Sequence, residues 1–172
     1  MKLYKNPSKE TWPQLTVRPQ LALEFLDSSV RNILNRVKKS GDSALHELTL
    51  QFDKVSVKQL AVTEAEFSAA EQSLSPAIRT AASNIEKFHA AQKRDSIKLE
   101  TTPGVTCWRK GVAIEKVGIY IPGGSAPLFS TVLMLGIPAL LAGCKQVVLC
   151  SPPDQSGEIN AAILFAAKLV GV

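Results

Sequence analysis

Two adjacent glycines at the end of an apolar run mark the place where this chain can do chemistry. Val117-Gly118-Ile119-Tyr120-Ile121-Pro122-Gly123-Gly124-Ser125 reads as a strand breaking into a glycine-rich loop, and Ser130-Thr131 then precedes the apolar segment Val132 to Leu141. Adjacent glycines let a ligand approach the backbone closely. The first amides of a helix lack internal acceptors and carry partial positive charge, so strand, loop and helix N-terminus together make a half-site for an anion or a nucleotide cofactor. Tyr120 adds a ring that could stack on a flat cofactor group while its hydroxyl hydrogen-bonds; the alternative is a strand-end tyrosine packed on the core. Pro122 shapes the loop, Gly123 and Gly124 either form a tight turn or offer backbone donors to the ligand, and Ser130 and Thr131 read first as helix caps. The G-x-G-x-x-G fingerprint is absent.

Other reactive side chains are sparse and scattered. Cys107, Cys144 and Cys150 form no C-x-x-C pair and are odd in number, so reduced thiols are expected rather than a disulfide framework or a zinc knuckle, with Cys144 and Cys150 read as buried structural thiols rather than a nucleophile. His46 and His89 lie far apart, each on a helical pattern without a ligand-type residue at i+3 or i+4.

The elements that must hold the loop follow from periodicity. Residues 1–21, with Pro7, Pro13 and Pro19, read as an extended arm that Trp12 pins. Ser28 to Lys39 places Val30, Ile33, Leu34 and Val37 on one helical stripe that Gly41 ends, and Asp42 caps a second helix bearing Leu45, Leu48 and Phe52. Leu60 to Val62 reads as a short strand, Thr63 with Glu66 as a capping box, and Pro76 after Ser75 as the start of the longest helix, running to Ala91. Ile97 to Thr101 and Val105 to Arg109 flank Pro103-Gly104 as a β-hairpin anchored by Trp108. A helix over 131–142, kinked or broken at Pro138, a buried strand Gln146 to Cys150 and a helix Glu158 to Leu169 complete a β-α-β-α run. The expected class is α/β: a helical subdomain with a small hairpin over residues 22–118, then an incomplete doubly wound, Rossmann-like unit over 119–172.

Composition narrows the function classes. At 172 residues and 45% hydrophobic content the chain can bury one moderate core. Residues 1–110 carry 17 Lys or Arg against 12 Asp or Glu, while 111–172 carry three of each, and the doublets Lys38-Lys39, Lys93-Arg94 and Arg109-Lys110 have no interleaved aromatics. Nucleic-acid binding is therefore not expected. No apolar run reaches membrane length and the first residues lack a signal-peptide core, so a soluble cytoplasmic protein is expected.

The stretch Glu115 to Pro127, with Ser130-Thr131-Val132-Leu133-Met134-Leu135, Ala142-Gly143-Cys144-Lys145 and Val147-Val148-Leu149-Cys150-Ser151-Pro152-Pro153, closely resembles histidinol dehydrogenase. Val37 to Leu45 and Phe52-Asp53 resemble the family's N-terminal helical region. The resemblance implies NAD-dependent, zinc-requiring oxidation of L-histidinol to L-histidine by a homodimer, with Tyr120 contacting NAD and Ser130 near substrate or cofactor. It also implies that the zinc ligands and the Glu-His catalytic pair lie beyond Val172, so that this chain alone is expected to be inactive. Two other classes remain beside it: a non-catalytic folding or assembly piece, and a free-standing nucleotide-binding module. Open strand edges and uncovered helix faces would favour association.

Overall fold

The computed structural model describes residues 3–17, 23–71, 76–123 and 128–172. Ser75 and Gly124 lie outside the described residues. The chain divides into two compact units, residues 1–45 and 46–172.

In the first unit the expected extended arm is interrupted by a 3-10 turn, Lys9–Thr11, that leads into a short helix, α1 (Trp12–Leu15). Pro13 causes no break because it stands in the first turn, where a missing N–H costs no helical bond. Trp12 is half exposed and donates its indole N–H to the Pro7 carbonyl at 3.2 Å, a local tie rather than a core anchor. Helix α2 (Leu23–Ser40) carries the expected stripe, and Gly41 follows it at φ +54°. Val30 and Leu34 on that stripe stay 51% and 61% exposed, while Ile33 and Val37 are half-buried. At 18 residues α2 is the longest helix described, correcting the expectation for the segment after Pro76.

Helix α3 (Asp42–Phe52) begins at once, with Leu48 buried and Phe52 exposed. No strand forms at Leu60 to Val62, where the chain makes bends and Leu60 stays 41% exposed. The capping box is present before α4 (Glu64–Glu71): the Thr63 N–H donates to Glu66 Oε2 at 2.7 Å, and the Glu66 N–H donates to Thr63 Oγ1 at 3.3 Å. The Thr63 hydroxyl holds the Glu66 carboxyl below the ordinary range. Helix α5 (Pro76–Ala90) starts on its proline as expected.

Strands β1 (Ile97–Thr102) and β2 (Val105–Arg109) pair antiparallel about Gly104 at φ +81°. Every residue of this hairpin is exposed, and Trp108 at 72% anchors nothing. Strand β3 (Lys116–Tyr120) pairs in parallel with β4 (Gln146–Cys150) through α6 (Phe129–Ala142), and α7 (Ala161–Leu169) follows. Pro138 does not end α6, which runs on to Gly143 in the left-handed conformation.

The core forms on one face of the parallel pair. Ile119 and Ile121 of that face meet Val132, Leu133 and Ile137 of α6 and Phe165, Ala166 and Val170 of the α7 segment, with Ile78 of α5 beside them. Gly136 is where α6 approaches the Val170 side chain: a Cβ there would stand 2.8 Å from Val170 Cγ2. The opposite face, bearing Tyr120, Val148 and Cys150, is exposed, so β4 is half-buried rather than buried. Helix α7 begins later than expected because Asn160 caps it, its Oδ1 accepting from the Ala162 N–H at 2.9 Å.

Candidate cofactor-binding site

The parallel ladder fixes the geometry of the loop. Tyr120 stands opposite Cys150 at the carboxyl end of β3, and one residue further the Ile121 N–H donates to the Cys150 carbonyl at 2.9 Å. Alternation then sorts the side chains: Ile119 and Ile121 point into the core at 5% and 0% exposure, and Tyr120 between them is 64% exposed on the open face. The tyrosine does not pack on the core. Its ring and hydroxyl face solvent at the carboxyl end of a parallel sheet, the edge at which α/β folds bind ligands.

Pro122 and Gly123 are exposed and continue the chain out of the ladder. A Cβ on Gly123 would lie 2.7 Å from Cγ of Pro152, so this glycine is required by its contact with the turn after β4. That contact braces the loop and is a packing reason for glycine at this position. Ser151 stands between Cys150 and that proline with its Oγ buried and without a hydrogen-bond partner. A buried hydroxyl left unsatisfied costs about 1–3 kcal/mol. It was not singled out in the sequence, where Ser151-Pro152-Pro153 reads as a strand terminator.

Helix α6 begins at Phe129, ahead of the expected start. Its N-cap is Leu128, which offers no side-chain acceptor. Ser130 and Thr131 therefore do not cap the helix; they lie inside its first turn, Ser130 exposed and Thr131 half-buried. Among the described residues Leu128 gives the first amides of α6 no side-chain cap, the Thr131 N–H donates to the Leu128 carbonyl at 3.0 Å, and the helix N-terminus carries partial positive charge. Thus Tyr120, Pro122 and Gly123 follow one another directly off the strand end, Ser130 is exposed in the turn that opens α6, and Gly124 is outside the described residues.

Cys150 is exposed and Cys144 half-buried, where both were expected inside, and Cys107 is exposed on the hairpin. All three are free, so none is held in a disulfide. Cys150 is exposed because it shares the open face with Tyr120. His89 Nδ1 pairs with Gln92 Oε1 at 2.8 Å. Among the described residues no group of three His, Cys, Asp or Glu side chains gathers as a metal site, and no helix is long and apolar enough to cross a membrane.

Comparison with known proteins agrees along nearly the whole chain. The family model described as histidinol dehydrogenase matches residues 16–172. A histidinol dehydrogenase of Bacteroides fragilis is 54% identical over 176 aligned positions that take in 100% of this chain and 41% of the relative. One from Escherichia coli is 50% identical, covering 98% of this chain and 39% of its own length. The crystal structure of histidinol dehydrogenase from Elizabethkingia anophelis superposes with a TM-score of 0.91 at 51% identity, over 98% of this chain and 40% of that one. The chain thus spans about two fifths of the length of the relatives it matches. By sequence and by fold, it belongs to the histidinol dehydrogenase family.

Proposed function

We propose that this chain supplies the cofactor side of an NAD-dependent, zinc-requiring oxidoreductase that converts L-histidinol to L-histidine through histidinal. Bound NAD would accept hydride from the alcohol and then from the hydrated aldehyde. The observation that carries the reading is the exposure of Tyr120 between two buried isoleucines, at the carboxyl end of β3 and one residue before the Pro122-Gly123 turn. A ring so placed has no packing duty and can stack on a flat heterocycle, while the uncapped amides of α6 offer donors to anionic oxygens. Ser130, exposed in the first turn of α6, is a candidate for the substrate side.

Zinc does not fit the described residues, since no cluster of ligand side chains is present. No step is assigned to it here, and the chain alone is expected to lack dehydrogenase activity. The exposed apolar face of the parallel pair supports assembly with further protein, because parallel sheets bury both faces. A homodimer of the complete enzyme in the cytoplasm follows from this reading.

The test is calorimetric titration of the 172-residue chain with NAD, alongside Tyr120→Ala. Saturable binding that Tyr120→Ala weakens by about 1 kcal/mol, the worth of a lost aromatic contact, is the expected outcome. Equal binding by both proteins would remove Tyr120 from the site, and histidinol-dependent NADH production by the pure chain would contradict its assignment as the cofactor side only.

A further inference from the structure

Two basic doublets that are separate in sequence meet in space. Lys93-Arg94 follows the end of α5 and Arg109-Lys110 closes and follows β2, and all four residues line one open cavity of about 520 Å³. Asp95 is the single carboxylate on its wall. None of the four cations makes an ion pair or a side-chain hydrogen bond among the described residues. Four like charges converging on one concave space repel one another unless an anion joins them, and a concave wall focuses their field. The remaining wall carries Ser96 and an apolar side with Val112, Ala113 and Leu141.

The cavity is distinct from the candidate cofactor site. Leu141 and Ala142 belong to the last turn of α6, whereas the glycine loop precedes its first turn. A 14-residue helix separates the two ends by about 20 Å.

We propose that this cavity binds a compact, multiply charged phosphate anion, of the pyrophosphate or phosphate-ester class. The excess of four cations over one carboxylate suits a ligand of about three negative charges, and guanidinium groups from Arg94 and Arg109 provide the forked donors that phosphate oxygens accept. The apolar wall accommodates the organic part of a phosphate ester. A nucleic acid fits less well, because no aromatic side chain lines this wall for a base to stack on.

The experiment is titration of the whole chain with inorganic pyrophosphate at low salt, followed by calorimetry or amide NMR shifts. Saturable binding is expected, weakened about tenfold by Arg94→Ala combined with Lys110→Ala. The matched variant Lys38→Ala with Lys39→Ala removes the same charge from α2 and leaves the affinity unchanged. Absence of saturation at millimolar pyrophosphate overturns the proposal. So does an equal loss in the Lys38-Lys39 variant, which would make the effect one of net charge. Tighter, length-dependent binding of a single-stranded oligonucleotide at the same residues overturns it in favour of a nucleic-acid surface.

Discussion

The described residues form two sheets of two strands each, and they owe their order to different forces. The hairpin β1–β2 is exposed on every residue, with Leu99, Ile97 and Trp108 more than half accessible. The pair β3–β4 has one face sealed by helices, and Ile121 beside it is wholly buried. A lone hairpin depends on its turn and ladder, here Gly104 at positive φ and its N–H donating to Glu100 Oε1 at 2.7 Å. The parallel pair lacks such a turn and depends on burial, which is the larger and less local force. Stability should therefore reside around α6 and α7, and the hairpin should be free to serve as a surface.

That contrast is tested most severely in the core. Leu133 is fully buried between strand and helices, so Leu133→Ala should destabilise the chain by about 2–5 kcal/mol in urea unfolding. A loss under 1 kcal/mol would mean that the core is not the source of order. Next in size is Gly136→Ala, which places a methyl 2.8 Å from Val170 Cγ2. Helix propensity favours alanine by about 1 kcal/mol, but overlap in a packed core costs about 1–3 kcal/mol, so a net loss is expected. Adding Val170→Ala should cost less in the Gly136→Ala background than in the parent, because the two side chains compete for one space. Additive losses would show that the overlap is relieved elsewhere.

The hairpin should respond far less. Trp108→Ala is expected to change unfolding stability by no more than about 0.5 kcal/mol, as at surface sites without a packing role. A loss as large as that of Leu133→Ala would show that the hairpin is covered in solution, and sedimentation or light scattering on the same samples would then reveal a second copy.

The sequence carried local instructions better than burial. The Thr63-Glu66 box, the Pro103-Gly104 turn and the proline start of α5 were legible because each is settled by its own few residues. Asn160 was equally legible, as one of the strongest N-caps, yet the apolar and alanine-rich run after Glu158 drew the expected helix start upstream. The α2 stripe also continues back to Leu26, four residues before Val30. What could not be read was which face each strand covers. Val147-Val148-Leu149 has the continuous apolar character of a strand buried on both sides, so Cys150 was expected inside. Only the tertiary arrangement, with α6 and α7 in one core cluster, leaves Val148, Cys150 and Tyr120 exposed. The same arrangement explains the early start of α6, since Phe129 packs against the core and draws the helix back past the expected serine and threonine caps. The glycine loop was legible as a site, while Ser151 was not, because the absence of a partner for a hydroxyl is a property of its surroundings.

The smallest expected effect lies in the turn after β4, and it sharpens the contrast between burial and local hydrogen bonding. Asp154 Oδ1 accepts from the Ser156 hydroxyl at 2.6 Å, the Ser156 N–H at 2.8 Å and the Glu158 N–H at 3.1 Å. The Ser156 hydroxyl first, and then the backbone amides, hold its carboxyl below the ordinary range. A carboxyl depressed in the folded state contributes stability that is fully present above its unfolded value, near pH 4, and is lost as the pH falls through the folded value. Ser156→Ala should therefore be less stable than the parent at pH 6, and the two should converge as the pH is lowered below about 4. Leu133→Ala has no titrating group behind its loss, so its deficit should persist across the same range. Urea titrations of the three proteins at pH 6 and pH 3 separate the two behaviours, and a Ser156→Ala deficit that survives at pH 3 would assign that turn to packing rather than to the carboxylate.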